Sequence, residues 1–431
     1  MTIPSEQTVE NSAEPAAESS VRTVAEASAR RPHGLPVLDS LTGLRGLAAM
    51  MVFCFHVTTF ELVFTKAGHL RFDSLDRPIF LTMAGNFAVS SFFILSGFVL
   101  ALTTRPGTSL ANFYAKRVGK LCPIYFVTTI VAIVAILVIG MPISLSDIVA
   151  HLTLLQSWIP NQAIYTGINP VTWSISTEAF FYLLFPASFF LVKRMSSRAL
   201  YVTLGVAICL EFGLPLYVEH FFTVINASGG YFNTSTNGGS MTYWFTLPFP
   251  PYRFLEFLAG MTCCVLMLRG DLPTIKLRWA CALAALGYVI GTYSPGPEQR
   301  TAIGLIPLAV LVTSLAQADL GQRPSLLRWK LFVELGKLSY GMYAIQLLVY
   351  LPTQPFVLRG LSALLGVSVA TLGNPIAKAP ISAAYFVAIA VIAIPIHRKI
   401  EVPAYDYAKG LFRSRKGSGM FADPIAPVEA P

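Results

Sequence analysis

Arg45 and His56 stand eleven residues apart within one apolar segment. In an α-helix that spacing is three turns plus about 20°, so the guanidinium and the imidazole share a face about 16 Å apart along the axis. A titratable group inside a bilayer costs several kcal/mol unless it is paired or solvated, which makes each one a candidate for function. An imidazole in that setting can take a proton from a hydroxyl as a general base or attack an acyl carbon as a nucleophile. The plainer reading is that Arg45 snorkels to the headgroups and His56 hydrogen-bonds a neighbouring helix.

Three further positions invite the same question. Arg117 and Lys120 lie one turn apart if their segment is helical, and two cations on one face can grip a phosphate. A basic cytoplasmic loop also satisfies the topology rule with no ligand at all. Ser96, in Ser96-Gly97-Phe98, belongs to the apolar segment that leads into this basic stretch. Glu178 follows Trp173-Ser174-Ile175-Ser176-Thr177 and sits about one turn into an apolar helix. A carboxylate there should find a cation or a proton, and His56 is the expected partner; a helix-end amide is the alternative. A transporter or lipid flippase with Arg45, His56 and Glu178 as a proton relay would use the same residues.

The elements that position these groups follow from composition. Of the 431 residues, 54% are hydrophobic and 12% charged, whereas soluble chains carry about 25% charged residues. Lipid is the solvent this composition requires. The net charge of +9 is read as cytoplasmic loops and anionic headgroups, not nucleic acid binding. Ten segments are apolar and long enough to span: 44–64, 84–104, 121–140, 174–192, 199–218, 252–268, 278–294, 301–317, 331–351 and 378–397. A further apolar stretch at 356–372 is set aside. The expected fold class is therefore all-α, a polytopic transmembrane helical bundle of about ten spanning helices.

Loop charge tests the order. With the N-terminus inside, the inner loops hold thirteen Lys and Arg against five in the outer loops, and outer loops 141–173 and 219–251 hold none. Residues 1–36, rich in Ala, Glu, Ser and Pro, are expected to be a disordered cytoplasmic tail; 37–403 form the membrane domain and 404–431 a basic cytoplasmic tail. The six cysteines lie in or at the ends of apolar stretches without CxxC spacing, so neither a disulfide framework nor a metal site is implied. Tyr231, Asn233, Asn237, Tyr243 and Trp244 in the loop 219–251 suit sugar rings, although aromatic residues also crowd membrane interfaces.

Several motifs in order resemble the acyltransferase 3 family of membrane acyltransferases. They are "LDSLTGLRGLAAMMVFCFH" at 38–56, "FFILSGFVLA" at 92–101, "FYAKRVGKLCPIYF" at 113–126, "TWSISTEAFFYLLFP" at 172–186, "PYRFLEFLAGM" at 251–261, "LGKLSYGMYAIQ" at 335–346 and "HRKIEVP" at 397–403. Members of this family O-acylate bacterial polysaccharides, lipopolysaccharide sugars, peptidoglycan and some macrolides. The resemblance implies a bacterial inner-membrane enzyme with both termini cytoplasmic. It would move an acyl group, acetyl being the one expected, from acyl-CoA to a hydroxyl of a carbohydrate, with a macrolide or lipid as the alternative acceptor. It puts Arg45, Arg117, Lys120 and Ser96 on the coenzyme A side, His56 at the catalytic centre with Glu178 orienting it, and Trp173, Tyr182, Arg253 and Trp244 on the acceptor side. Two departures stand out: the family's Arg-x-x-Arg is Arg117-Val118-Gly119-Lys120 here, and Gln346 stands where many relatives have His.

Overall fold

A backbone amide in hydrocarbon must find its partner within the chain, so an apolar sequence of this kind crosses as helices. The computed structural model describes residues 38–64, 70–74, 79–227, 241–294, 299–373 and 375–411. Among the described residues eight helices are long and apolar enough to cross a membrane. They are α1 (Asp39–Thr59), α2 (Thr82–Thr103), α3 (Leu110–Val138), α6 (Trp173–Val192), α7 (Ser197–Ala227), α9 (Pro250–Arg269), α11 (Gln299–Leu320) and α14 (Pro375–Ile396). The two other expected spans are helices as well: α10 (Leu277–Tyr293), which has 17 residues, and α12 (Lys330–Leu365). Shorter helices α4 (Leu145–Leu152), α5 (Gln162–Tyr165), α8 (Met241–Thr246), α13 (Val369–Gly373) and α15 (Val402–Leu411) fill the connections.

Four boundaries that bear on the site differ from the sequence reading. The first helix stops at Thr59, and Phe60–Phe64 pairs antiparallel with Leu70–Ser74 as a hairpin, Leu62 opposite Phe72; the aromatic and β-branched run Phe60-Glu61-Leu62-Val63-Phe64 favours strand over helix. The third helix begins eleven residues early, at Leu110, where Ser109 accepts a hydrogen bond from the Asn112 amide. That cap moves Lys116, Arg117 and Lys120 from a loop onto a helix. Segments 331–351 and 356–372 are largely one helix, α12, of 36 residues, about 54 Å long and so much longer than the hydrocarbon is thick. Finally, helix continues into the first residues of the basic tail: a π-helical turn, His397–Glu401, joins α14 to α15, which packs on α3.

The most extensive interface joins α1 and α12. It is close because it is made of glycine: a Cβ on Gly336 would lie 1.9 Å from the Thr42 carbonyl oxygen. The two helices run parallel in near-constant register, with Gly46 beside Gly336, His56 beside Gln346, and the Tyr350 hydroxyl donating to the Val57 carbonyl at 3.2 Å. Helices α2 and α9 approach in the same manner, since a Cβ on Gly97 would meet the Phe257 carbonyl oxygen at 2.0 Å. Between these pairs an aromatic core of Phe93, Phe181, Phe185 and Phe257 fixes α2, α6 and α9 through ring centres 4.9, 5.1 and 6.1 Å apart.

Candidate active site

A cavity of about 110 Å³ opens between α1, α2, α3, α6 and α12. Its polar wall is made by Arg45, Ser96, Arg117, Lys120, Ser174, Glu178, Tyr182, Ser339, Tyr340 and Tyr343. All four residues assigned from sequence to the coenzyme A side therefore meet in one place, and Glu178 and Tyr182 join them. The helical start of α3 explains how: Arg117 and Lys120, one turn apart, face the same space, and the Arg117 guanidinium lies 5.7 Å from the centre of the Tyr182 ring.

The electrostatics of this space are unbalanced. Arg45, Arg117 and Glu178 all act on Lys120, as does Glu401 of the π-helical turn. Among the described residues none of Arg45, Arg117 and Lys120 forms an ion pair, and the buried Nε of Arg117 has no hydrogen-bond acceptor. Three cations and an unspent donor against the single carboxylate on the wall suit an anion with several oxygens, such as a phosphate or pyrophosphate.

Glu178 has partners other than the one the sequence suggested. Its Oε1 accepts from the Ser96 hydroxyl at 3.0 Å and from the Tyr182 phenol one turn along the same helix. His56 is buried beyond the wall of the cavity and hydrogen-bonds the Gln346 side chain. The register of α1 against α12 gives its height: Tyr343, on the wall, precedes Gln346 by three residues, about one turn or 5 Å along α12. The cavity wall thus extends from Arg45 to the turn of α12 that precedes the partner of the imidazole.

The end of the cavity nearest His56 is built from the first turn of α6. Loop 153–172 fastens it: Gln156 Nε2 donates to the Thr172 carbonyl at 3.2 Å, Ser157 Oγ to the Trp173 carbonyl at 2.6 Å, and Asn169 Nδ2 to the Ala344 carbonyl on α12 at 2.9 Å. Ser174 and Tyr343 meet there, with their hydroxyl oxygens 2.7 Å apart. Both residues stood inside recognised motifs, but nothing in one sequence pairs positions 169 apart.

The remaining expected residues lie elsewhere. Trp173 is buried at the head of α6, and Trp244 donates its indole N–H to the Ser157 carbonyl at 3.1 Å. Arg253 is sealed between helices, 3.1 Å from Glu256 and 2.9 Å from the Thr301 hydroxyl. None of the three is on the cavity wall. Tyr231, Asn233 and Asn237 lie outside the described residues. Among the described residues no group of three His, Cys, Asp or Glu converges as a metal site.

A helical membrane bundle enclosing a cationic cavity, with an imidazole deeper along the same helix, defines the class. The family described as acyltransferase domain matches residues 38–396, and the chain belongs to it. Among curated relatives it is similar to the acyltransferase MdmB of Streptomyces mycarofaciens, 32% identical over 72% of this chain and 79% of the relative. The O-acetyltransferase OatA of Staphylococcus aureus is 25% identical over 72% of this chain; the match spans half of OatA's length. The exopolysaccharide production protein ExoZ of Rhizobium meliloti is 24% identical over 53% of this chain and 65% of its own. No solved structure matches.

Proposed function

We propose that the protein is an acyl-CoA-dependent O-acyltransferase of the bacterial inner membrane that esterifies a carbohydrate hydroxyl, with acetyl as the acyl group. The observation that carries this reading is the cavity itself, where Arg45, Arg117 and Lys120 converge without an ion pair among the described residues, and whose wall reaches Tyr343, one turn before the residue that hydrogen-bonds His56. Coenzyme A has the matching shape. Its phosphates would sit at the cations, with Ser96 beside them, and its pantetheine arm would run up the cavity and present the thioester near His56. His56 is the general base for the acceptor hydroxyl. Glu178, held by Ser96 and Tyr182, supplies a fixed counter-charge to Lys120 at the donor end. The names of the relatives OatA and ExoZ support acetyl transfer and an exopolysaccharide acceptor.

The orientation follows from charge. With both termini cytoplasmic the basic cavity mouth faces the cytoplasm, where acyl-CoA is made, and His56 lies toward the outer leaflet. The parallel packing of α1 and α12 supports this order, since the first and ninth of ten alternating spans run the same way. Purified protein with labelled acetyl-CoA and a glycan acceptor should yield labelled ester, and His56→Ala should abolish it at normal expression. Full transfer by His56→Ala would overturn the assignment, and label carried across a vesicle membrane without ester formation would favour a transporter.

A further inference from the structure

The hydroxyls of Ser174 and Tyr343 share one carbonyl that needs only one of them. Tyr343 donates to the Val171 carbonyl oxygen at 2.8 Å, while Ser174 Oγ lies 3.1 Å from the same oxygen and 2.7 Å from the phenol. Both side chains line the cavity and are otherwise buried, at 7% and 9% exposure. With the phenol proton satisfying Val171, the serine proton lies on the phenol oxygen, and turning it to a ligand in the cavity exchanges that one hydrogen bond for another and leaves no buried carbonyl unpaired.

A second observation points the same way. Ser174 is the second residue of α6, whose opening is a tight turn in which the amides of Ile175 and Ser176 both reach back to the Thr172 carbonyl. The positive end of the helix dipole therefore lies beside the serine hydroxyl and favours negative charge there. The loop bonds from Gln156, Ser157 and Asn169 hold this turn in place before any ligand arrives.

We propose that Ser174 is a catalytic residue, the hydrogen-bond donor to the thioester carbonyl oxygen, and that Tyr343 is a positioning residue that frees its proton by holding Val171. The inference rests on the acyl-transfer reading above. In the step it serves, the acceptor oxygen bonds to the thioester carbon as its proton passes to His56, and the carbonyl electron pair moves onto oxygen. Ser174 donates to that oxyanion. When the carbonyl re-forms, the carbon–sulfur bond breaks, and the departing sulfur recovers the proton from His56, leaving an ester and a free thiol. A donor placed at developing charge contributes to the transition state more than to the bound ground state.

The test uses the full chain in nanodiscs, acetyl-CoA as donor and a panel of methyl glycosides as acceptors, with thiol release as the readout. Ser174→Ala should lower kcat by about 10²- to 10³-fold at little changed KM for acetyl-CoA, whereas Ser174→Thr keeps the hydroxyl and most of the rate. Tyr343→Phe should fall by a similar factor, because Ser174 then turns to Val171, and the double variant should be no worse than either single one. Binding of S-ethyl-CoA, a thioether with no carbonyl, should be equal in wild type and Ser174→Ala, which shows that the pocket is intact. Wild-type kcat in Ser174→Ala, or multiplicative losses in the double variant, would overturn the assignment. If the wild type releases no more thiol than His56→Ala, the acyl-CoA reading fails, and this inference with it.

Discussion

Gln346 hydrogen-bonds the imidazole of His56 across the interface of α1 and α12, and its own Nε2 donates to the Tyr343 carbonyl at 3.2 Å. The amide is thus anchored to the helix that carries the cavity wall, so it fixes the height and tilt of the ring relative to Tyr343. An amide cannot titrate, so in the proposed reaction His56 is the one proton carrier of the pair.

Gln346→Ala should therefore act on the chemical step. Displacing a catalytic group by about 1 Å costs about 100-fold, so kcat should fall by that order while KM for acetyl-CoA stays near wild type. Gln346→His, which restores a ring able to bond His56, should retain most of the activity. Steady-state kinetics on the two variants separates orientation of His56 from a general packing defect, which would lower expression in both.

Lys120 offers a test of the donor end. Replacing it by Ala removes one of three cations that meet a single carboxylate, Glu178, on the cavity wall, and a charge-assisted contact is worth about 1.5–3 kcal/mol, roughly 10- to 150-fold in affinity. KM for acetyl-CoA should rise by that factor, and KM for the acceptor should not move. Lys120→Arg, which recreates the family's pair of arginines, should bind the donor at least as well as wild type. An unchanged donor KM in Lys120→Ala would place the phosphates elsewhere.

Much of this was legible in the sequence, and the limits have physical causes. Apolar length and loop charge give the helical bundle because hydrocarbon leaves the backbone few choices. The 100° periodicity puts Arg45 and His56 on one face before any fold is known. What one sequence does not contain is register between helices. Glu178 has Ser96 and Tyr182 as partners because α2 and α6 pack at that height, and His56 meets Gln346 because glycines bring α1 against α12. The helix boundaries misread at 110 and 352 have a local cause: basic residues and prolines resemble loop signals, yet Arg117 and Lys120 reach a cavity and Pro352 and Pro355 are absorbed within α12.

Gly336 should tolerate no side chain. A methyl group there would overlap the Thr42 carbonyl oxygen, 1.9 Å away and fixed in a helix backbone, so α1 and α12 must part. Overpacking of this kind typically costs about 1–3 kcal/mol, and more where the backbone cannot yield. Gly336→Val should lower the detergent unfolding temperature and the activity together, because His56 and Gln346 lie three turns up the same interface. Retained activity at a lowered unfolding temperature would separate the register from the chemistry.

Arg253 divides a structural role from a substrate role. Both it and Glu256 are fully buried, 3.1 Å apart, with the Phe93 ring 5.0 Å from the guanidinium. Removing one partner of such a pair leaves an uncompensated charge and costs about 3–5 kcal/mol, whereas replacing both by apolar residues is often near neutral. Arg253→Met alone should therefore lower the unfolding temperature sharply, because it takes the cation from Glu256 and from the buried Glu211 that faces the same guanidinium, and Arg253→Met with Glu256→Leu should recover part of the loss. The double variant should also keep wild-type KM for the glycoside acceptor, because Arg253 is not on the cavity wall and its guanidinium lies behind the Phe93 ring, which lines the space. A large rise in acceptor KM in a double variant of normal stability would return Arg253 to the acceptor site, where the sequence alone had put it.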